Sequence, residues 1–517
     1  MPQTDAERAL RLHVKPVGAL KLAEVRKGMS ERTRARFDQT FNVIADFKAT
    51  REATFAPLPA ADGELLVACN VAEPATDLST VGLAHAFTVV EEKSDGPRRR
   101  FILDPHDLND WLEEVAGYEA QVPLPHITAH LPYAHDEWAI CEDFSTGFHQ
   151  VELPLRLRHL FRFRCGDRVL QMTRLPMGLR TAPELFHTLA ATLAGDRLFC
   201  VPAWRSPLGV HVDTWIDNVR FSGKRQKVDL ADAEFQSRCT AVSATLNAGD
   251  RSAGRDYVFC GVKYADGTVA VAAKTHGRVA AVADKVARDA LTIRELEILF
   301  GRLWFASAIL GVEARNYWFA IKMARRRLAD VNGGRRKLDG PAELMAAASA
   351  ELSAWVAKIA ANAPRAPPPP PTSPEEPKRS FTLFTDATLV GWGAVLIDDA
   401  TQQPRIAGGR WRDPPSSIGP AETRAVALGL EAFARHLAGN HAHLRVDNTS
   451  AIAAINRRIA TSGAVNAELN NVFARLNGVT YDVSYVKSAD NLADGPSRGD
   501  MQLPLAAAST AATTTNS

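Results

Sequence analysis

Thr214-Trp215-Ile216-Asp217-Asn218 is the stretch on which the reading of this chain turns. Val212–Trp215 leads into it and Val219–Phe221 leads out. The five residues therefore read as the turn of a β-hairpin with Asp217 at its tip. Asp-Asn also suits a plain turn with no further role. An apolar run beginning at Trp138 ends in an acid at Asp143, after which Gly147 allows a turn before Phe148. Taken alone, that pattern also fits a strand ending in a solvated acid. Two acids at the ends of neighbouring strands are what phosphoryl transfer asks of a protein. The chemistry needs divalent cations about 3.5–4 Å apart, held by carboxylates.

The bulk numbers set the frame. The chain has 517 residues, room for two to four domains. It is 46% hydrophobic and 23% charged, ordinary for a globular protein. A net charge of +2 excludes a uniformly basic nucleic-acid glue. Local basic runs stand out instead: 98–100, Arg156 to Arg168, 325–327 and 335–337. They read as solvated faces or as a phosphate-binding track. The 6 cysteines are scattered with no C-x-x-C pair, which argues against zinc and against a disulfide framework. A reducing compartment, cytoplasmic and/or nuclear, is the expectation. No stretch is apolar enough to span a membrane and no signal core opens the chain, so neither a membrane partner nor secretion is expected.

Pro364 to Pro377 reads PRAPPPPPTSPEEP, a semi-rigid polyproline linker between domains. Residues 80–275 mix short β-rich runs with turns and a few helices, an α+β pattern. Residues 276–360 look helical, with a capping box at Thr292-Ile293-Arg294-Glu295 and Leu296, Phe300, Leu303 and Ser307 on one face. Residues 1–79 begin charged and helix-prone, become loop-like, and carry no motif. The tail from about Leu505 is Ala/Thr/Ser-rich and expected to be disordered.

Beyond the linker the pattern resets. Residues 381–386 alternate like a strand ending in Asp386, and 391–397 read as its antiparallel return. A helix is expected from about Ala421 to Leu437, with Val426, Leu430, Phe433 and Leu437 as its apolar stripe. Glu422 lies on that same stripe, where an acid is costly unless paired or metal-bound. Leu444–Asn448 is another strand ending in an acid, Asp447, followed by a helix. Asp494 opens the last helical segment. Four acids from two strands and two helices could converge on a two-metal site.

The order of these motifs resembles the reverse transcriptase family, most closely gypsy-type and DIRS-type retrotransposons. Lys93, Asp95, Arg100, Asp104, Leu108 and Asn109 are similar to its fingers motif, and Asp143 through Val151 to its D-L-x-x-G-Y-H-Q-I segment. Leu175 through Pro183 is similar to L-P-F-G-L-x-x-A-P, Trp215 to Asn218 stands where the family carries Y-x-D-D, and Phe259-Cys260-Gly261-Val262 is similar to F-L-G-H. After the linker, T-D-A…G-W-G-A, A-E-x-x-A, D-N-x-x-A and N-x-x-A-D-x-x-S-R resemble retroelement ribonuclease H.

The resemblance implies an α+β right-hand polymerase (fingers, palm, helical thumb or connection) joined by the Pro-rich linker to an α/β ribonuclease H-like domain. The implied division is an N-terminal extension at 1–79, fingers and palm at 80–275, and a thumb- or connection-like region at 276–362. The linker takes 363–379, ribonuclease H 380–500 and the tail 501–517. It implies Mg²⁺, with Mn²⁺ as substitute, two per site, on Asp143 and Asp217 and on Asp386, Glu422, Asp447 and Asp494. Lys93 and Arg100 would neutralise a deoxynucleoside triphosphate. Phe148 would exclude a 2′-hydroxyl, and Met177 and Gly178 would line the base and sugar pocket. RNA template, DNA primer and RNA–DNA hybrid would be the partners.

Two departures stand in the opening motif. Trp215 replaces Tyr, and Asn218 replaces the second Asp, a weaker ligand for Mg²⁺ than a carboxylate. Two readings follow: a polymerase working on Asp143 and Asp217, or an altered RNA- or hybrid-binding protein without DNA synthesis.

Overall fold

The computed structural model describes residues 10–52, 54–76, 79–93, 96–120, 122, 124–368 and 379–502. Most of the Pro-rich segment and the Ala/Thr/Ser tail lie outside them, as does Asp95. The chain divides into two compact units. One is Met1–Ala273 with Pro364–Pro369, the other Lys274–Ala363 with Pro370–Ser517. The helical region before the linker thus falls in the same unit as the C-terminal sheet.

The first unit opens with α1 (Glu31–Ala45) and α2 (Ala60–Ala68), then β1 (Ala72–Pro74). The hairpin β2 (His85–Lys93) and β3 (Gly96–Asp104) leads to α3 (His106–Glu114). β4 (Trp138–Asp143), β5 (Arg162–Cys165), β6 (Arg168–Met172) and α4 (Ala182–Ala194) follow. β7 (Val210–Trp215), β8 (Asn218–Gly223), α5 (Arg225–Ala241) and β9 (Ser252–Gly254) complete the central layer. The sheet order β7-β8-β4-β9 makes β8 and β4 central, with their acid-bearing ends side by side. A small meander, β10 (Asp256–Phe259), β11 (Val262–Ala265) and β12 (Thr268–Val271), closes the unit.

The N-terminal residues are part of this body. Leu12, Val14, Val25, Met29, Phe37, Ile44, Leu58 and Leu66 share one buried core with Phe144, Leu175, Phe186 and Phe221. The described residues between 10 and 76 therefore form a structural layer of the first unit. Their apolar residues at helical and alternating spacing find partners far away in sequence, which local reading does not see.

The second unit begins with helices, chiefly α6 (Ile293–Leu310), α7 (Trp318–Asn332) and α8 (Ala346–Ala360). Thr292 and Glu295 form the capping box, and Leu296, Phe300, Leu303 and Ser307 are buried. Then come β13 (Ser380–Ala387), β14 (Gly391–Asp398), β15 (Pro404–Arg410), α9 (Ile418–Ala432) and β16 (His441–Val446). α10 (Thr449–Arg457), α11 (Gly463–Arg475), β17 (Thr480–Tyr485) and the single turn α12 (Asp494–Ser497) finish it. The sheet order is β15-β14-β13-β16-β17, with β13, β16 and β17 parallel and β14 and β15 antiparallel. α9 starts earlier than the sequence suggests and breaks at Phe433. Its stripe of Val426 and Leu430, continued by Phe433 and Leu437, is buried against the sheet. Among the described residues no helix is long and apolar enough to cross a membrane.

Candidate active sites

In the first unit, β4 and β8 pair antiparallel with Asp143 opposite Asn218, and Asn218 also pairs with Trp215 across the hairpin. The turn needs Ile216 at φ 57°, a left-handed conformation costly for a β-branched residue. Two hydrogen bonds hold it. The Phe144 N–H donates to the Asp217 carbonyl at 3.0 Å. The Ile216 N–H donates to His187 Nδ1 at 3.4 Å. Asp143 and Asp217 consequently border one cavity of about 540 Å³, which Arg100, Phe148 and Met177 also line. Both acids offer carboxylate oxygens at this cavity, the donor type that suits a hard dication such as Mg²⁺.

Asn218 has a definite local role. Its Nδ2 donates to Asp217 Oδ1 at 3.0 Å. An aspartate could not donate there, so the amide steadies the Asp217 carboxylate in place of a second negative charge.

The other sequence candidates separate. Phe148 sits in the short turn Gly147–Gln150, half-buried, with its ring edge-on to Phe186 at 5.8 Å. Arg100 pairs with Glu91 at 3.1 Å and is partly exposed. Lys93 closes β2 opposite Gly96, and its side chain lies outside the described residues. Gly178 is not among the cavity's lining residues. It takes φ +119°, and a Cβ there would lie 2.3 Å from the Leu103 carbonyl oxygen. Its close approach is to β3, whose Leu103 N–H donates to the Met177 carbonyl at 3.0 Å. Gly178 therefore sets the path of the loop while Met177 reaches the cavity.

His13 and Lys15 are among the lining residues that escaped the sequence reading. The His13 N–H donates to the Arg99 carbonyl at 2.7 Å, and Arg98 Nη1 lies 3.2 Å from His13 Nδ1. Burial first, then Arg98 and Lys15, hold the His13 imidazole below its ordinary range. Their signal was the alternation Leu12-His13-Val14-Lys15, in which Leu12 and Val14 are buried. Lys15, Arg98 and Arg100 thus set cations around a cavity that also holds Asp143 and Asp217.

The basic runs prove to be internally engaged at several points. Arg99 is buried and bonds Asp62 with both terminal guanidinium nitrogens, at 2.6 and 2.8 Å. Arg158, also buried, bonds Glu73 at 3.0 Å and Glu152 at 2.9 Å. Arg327 caps the carbonyls of Ala342 and Glu343, and Arg336 pairs with Glu343 at 2.7 Å. These arginines hold the fold together and are not a free phosphate track.

In the second unit Asp386 lies near the end of β13, Asp447 just past the end of β16, and Glu422 in the second turn of α9. Each offers a carboxylate oxygen, and those oxygens lie within 4.8 Å of one another. Asp386 and Glu422 are each only 5% exposed. Glu422 Oε2 and Asp447 Oδ1 are buried without a hydrogen-bond partner among the described residues. Burial first, then the charges of Asp386 and Asp447, pushes the Glu422 carboxyl up to about 8. Burial likewise raises Asp386, against a hydrogen bond from Ser497. Crowded like charges with orphaned oxygens are expensive in a dry position. A dication removes that cost, so these residues fit Mg²⁺.

Asp494 stands apart from the three. Its carboxylate pairs with Arg498, at 2.7 Å to Nη2 and 3.2 Å to Nε. It is near enough for its charge to raise Asp386. An i,i+4 pair within one helical turn accounts for the difference from the expected convergence of four. Two serines steady the cluster: Ser497 on Asp386, and Ser488 Oγ donating to Asp447 Oδ2 at 2.8 Å. Gly393 makes this possible. A Cβ there would meet the Ser497 nitrogen at 2.3 Å, so only glycine lets α12 lie against β14.

No family model matches the chain. Over 97 residues, 19% of its length, it is 31% identical to the retrovirus-related Pol polyprotein from transposon 412 of Drosophila melanogaster, and it covers 7% of that polyprotein. Among solved structures it is similar to a foamy viral protease-reverse transcriptase in complex with RNA/DNA hybrid, at 13% identity and TM-score 0.47, covering 93% of this chain and 64% of that one. It is also similar to a foamy viral protease-reverse transcriptase in complex with dsDNA, at 13% identity and TM-score 0.45, covering 93% and 99%.

Proposed function

We propose that this chain is a retroelement reverse transcriptase, of gypsy or DIRS type, with RNA-directed DNA polymerase in its first unit and ribonuclease H in its second. One observation carries the reading. Three acids from separate elements bring oxygens within 4.8 Å of one another, and two of those residues keep unpartnered buried oxygens. Supporting it are the shared cavity of Asp143 and Asp217 and the local similarity to a Pol polyprotein.

Asp143 and Asp217 would hold Mg²⁺ or Mn²⁺ in the polymerase, and Asp386, Glu422, Asp447 and Asp494 in the nuclease. Bound at each site, the ions would supply Lewis-acid stabilisation of charge on the phosphoryl oxygens. Lys93 and Arg100 bring positive charge for the triphosphate of an incoming deoxynucleotide. Phe148 and Met177 shape the wall against its sugar and base, Phe148 excluding a 2′-hydroxyl by bulk. Fingers, palm, thumb or connection, and the Pro-rich linker are the layout that goes with this reading. The substrates are RNA template, DNA primer and the hybrid they form, whose backbone and 2′-hydroxyls are read more than its sequence.

Asp386→Asn is expected to slow RNA release from a labelled hybrid by more than about 100-fold. Hybrid degraded at the parent rate by Asp386→Asn refutes the nuclease assignment. Primer extension on an RNA template tests the other half, with Asp217→Ala expected to abolish it. A second reading, hybrid binding without synthesis, is favoured by the Asn218 amide bonded to Asp217. It predicts no extension by the native chain and extension restored by Asn218→Asp.

A further inference from the structure

β16 begins His441-Ala442-His443. Alternation along a strand sends both histidines to one face of the sheet and buries Ala442 on the other. The parallel register sets Asp482, on the edge strand β17, directly beside His443. His441 Nε2 lies 3.0 Å and His443 Nδ1 2.5 Å from the same oxygen, Asp482 Oδ2. The ligand atoms of the three residues all fall within 4.8 Å of one another.

The outward ring nitrogens are also addressed. His441 Nδ1 lies 3.0 Å from Thr480 Oγ1, and His443 Nε2 lies 3.9 Å from Asp399 Oδ2. Asp399 is itself held, accepting from Thr382 Oγ1 at 2.8 Å. The Thr480 oxygen behind the His441 imidazole is the arrangement that fixes tautomer and ring orientation in metal-binding histidines, while Asp399 stands beyond hydrogen-bond reach of His443. The cluster is open to solvent, with side chains 29%, 34% and 50% exposed for His441, His443 and Asp482. Around a tetrahedral ion with bonds of 2.0–2.1 Å, neighbouring ligand atoms stand about 3.3 Å apart. The two histidine–Asp482 spacings, 3.0 and 2.5 Å, need to open by less than an ångström to meet that.

We propose that His441, His443 and Asp482 form a binding site for a borderline transition-metal dication, Zn²⁺ in the first place. Two nitrogens and one oxygen select such an ion over Mg²⁺, which prefers oxygen alone. Water completes the fourth position. Lack of paired cysteines does not bear on this site, whose donors are imidazole and carboxylate. The site lies at the start of β16, while Asp447 follows its end, about 13 Å along the strand from His443 and about 20 Å from His441. It is thus separate from the acid cluster and fastens the edge strand β17 to its neighbour.

The test is thermal unfolding and metal content of the untagged, metal-stripped full chain. Added ZnCl₂ is expected to raise the unfolding temperature of the second unit by several degrees, MgCl₂ in its place not. One equivalent of Zn²⁺ should survive gel filtration. His443→Ala and Asp482→Asn should each weaken Zn²⁺ at least about tenfold. Asp386→Asn with Glu422→Gln, which removes the acid cluster, should leave it unchanged. If His443→Ala does not fold, Asp482→Asn, near in shape, carries the comparison. No Zn²⁺ shift in the native chain overturns the proposal. So does a shift that persists in Asp482→Asn, or one that disappears with the acid cluster.

Discussion

His187 and His149 are buried, and burial pushes each imidazole down to about 4. Both are therefore neutral at pH 7, and His187 must be, because its Nδ1 accepts the Ile216 N–H that holds the strained turn before Asp217. A histidine depressed in the folded state gains protons mainly by unfolding. Its contribution is complete above the unfolded value near 6.5 and is lost as pH falls toward 4. The first unit should accordingly lose stability between those limits. Urea midpoints measured across that range should fall with acidification, and less steeply in His149→Phe. Lys15 permits a second test at the same scale. It brings a cation to the cavity of Asp143 and Asp217 from a segment with no motif. Lys15→Ala is expected to raise KM for deoxynucleotides several-fold in steady-state primer extension with kcat little changed. An unchanged KM would remove Lys15 from triphosphate binding.

The hairpin of β7 and β8 rests on a buried ion pair beneath it. Arg220, on β8, is fully buried and donates from Nε to Asp213 Oδ2 at 2.9 Å. His130 Nδ1 lies 2.7 Å from Asp213 Oδ1, and the guanidinium sits 4.9 Å from the rings of Phe259 and Tyr264. Removing one partner leaves the other charge buried and alone. Asp213→Ala should cost about 3–5 kcal/mol in denaturant unfolding. Asp213→Leu combined with Arg220→Met should cost far less than the single change. At this scale the sequence was informative where signals were local. The 214–218 turn, the 292–295 capping box and the strand-return pair 381–397 could all be read from alternation and turn chemistry. Glu422 stood out because an acid on an apolar helical stripe is anomalous in itself. Arg99 with Asp62, or Arg158 with Glu73, had no such signal. The partners stand 37 and 85 positions apart in the chain, and a run of arginines looks alike whether it faces solvent or a buried carboxylate. Asp494 shows the limit from the other side: Arg498 was visible one turn on, but spacing alone could not say whether the acid would turn to it or to Asp386.

At the scale of the whole molecule, the second unit is more than its sheet. Trp318, on α7, donates from Nε1 to the Ala460 carbonyl at 2.8 Å, and its ring lies where a Cβ on Gly463 would meet it at 3.2 Å. Arg315 Nε donates to Asn470 Oδ1 at 2.7 Å, Asn466 Nδ2 donates back to the Arg315 carbonyl at 2.8 Å, and Arg458 pairs with Glu313 at 2.7 Å. The helices between 274 and 363 therefore cover one flank of the C-terminal sheet domain, around α11. A chain cut at residue 379 would uncover that flank and leave the buried Asn466 without its carbonyl partner. A fragment spanning 274–502 should consequently unfold cooperatively at a higher temperature than one spanning 379–502. Within the longer fragment Trp318→Ala should cost about 3–5 kcal/mol, the range for truncating a buried indole. Calorimetry on both fragments decides the matter. Equal transition temperatures, or a Trp318→Ala change without effect, would mean the helices ride on the sheet domain without supporting it. A lowered transition in Trp318→Ala, matching that of the short fragment, would mean the helices and the sheet domain fold as one unit through this contact.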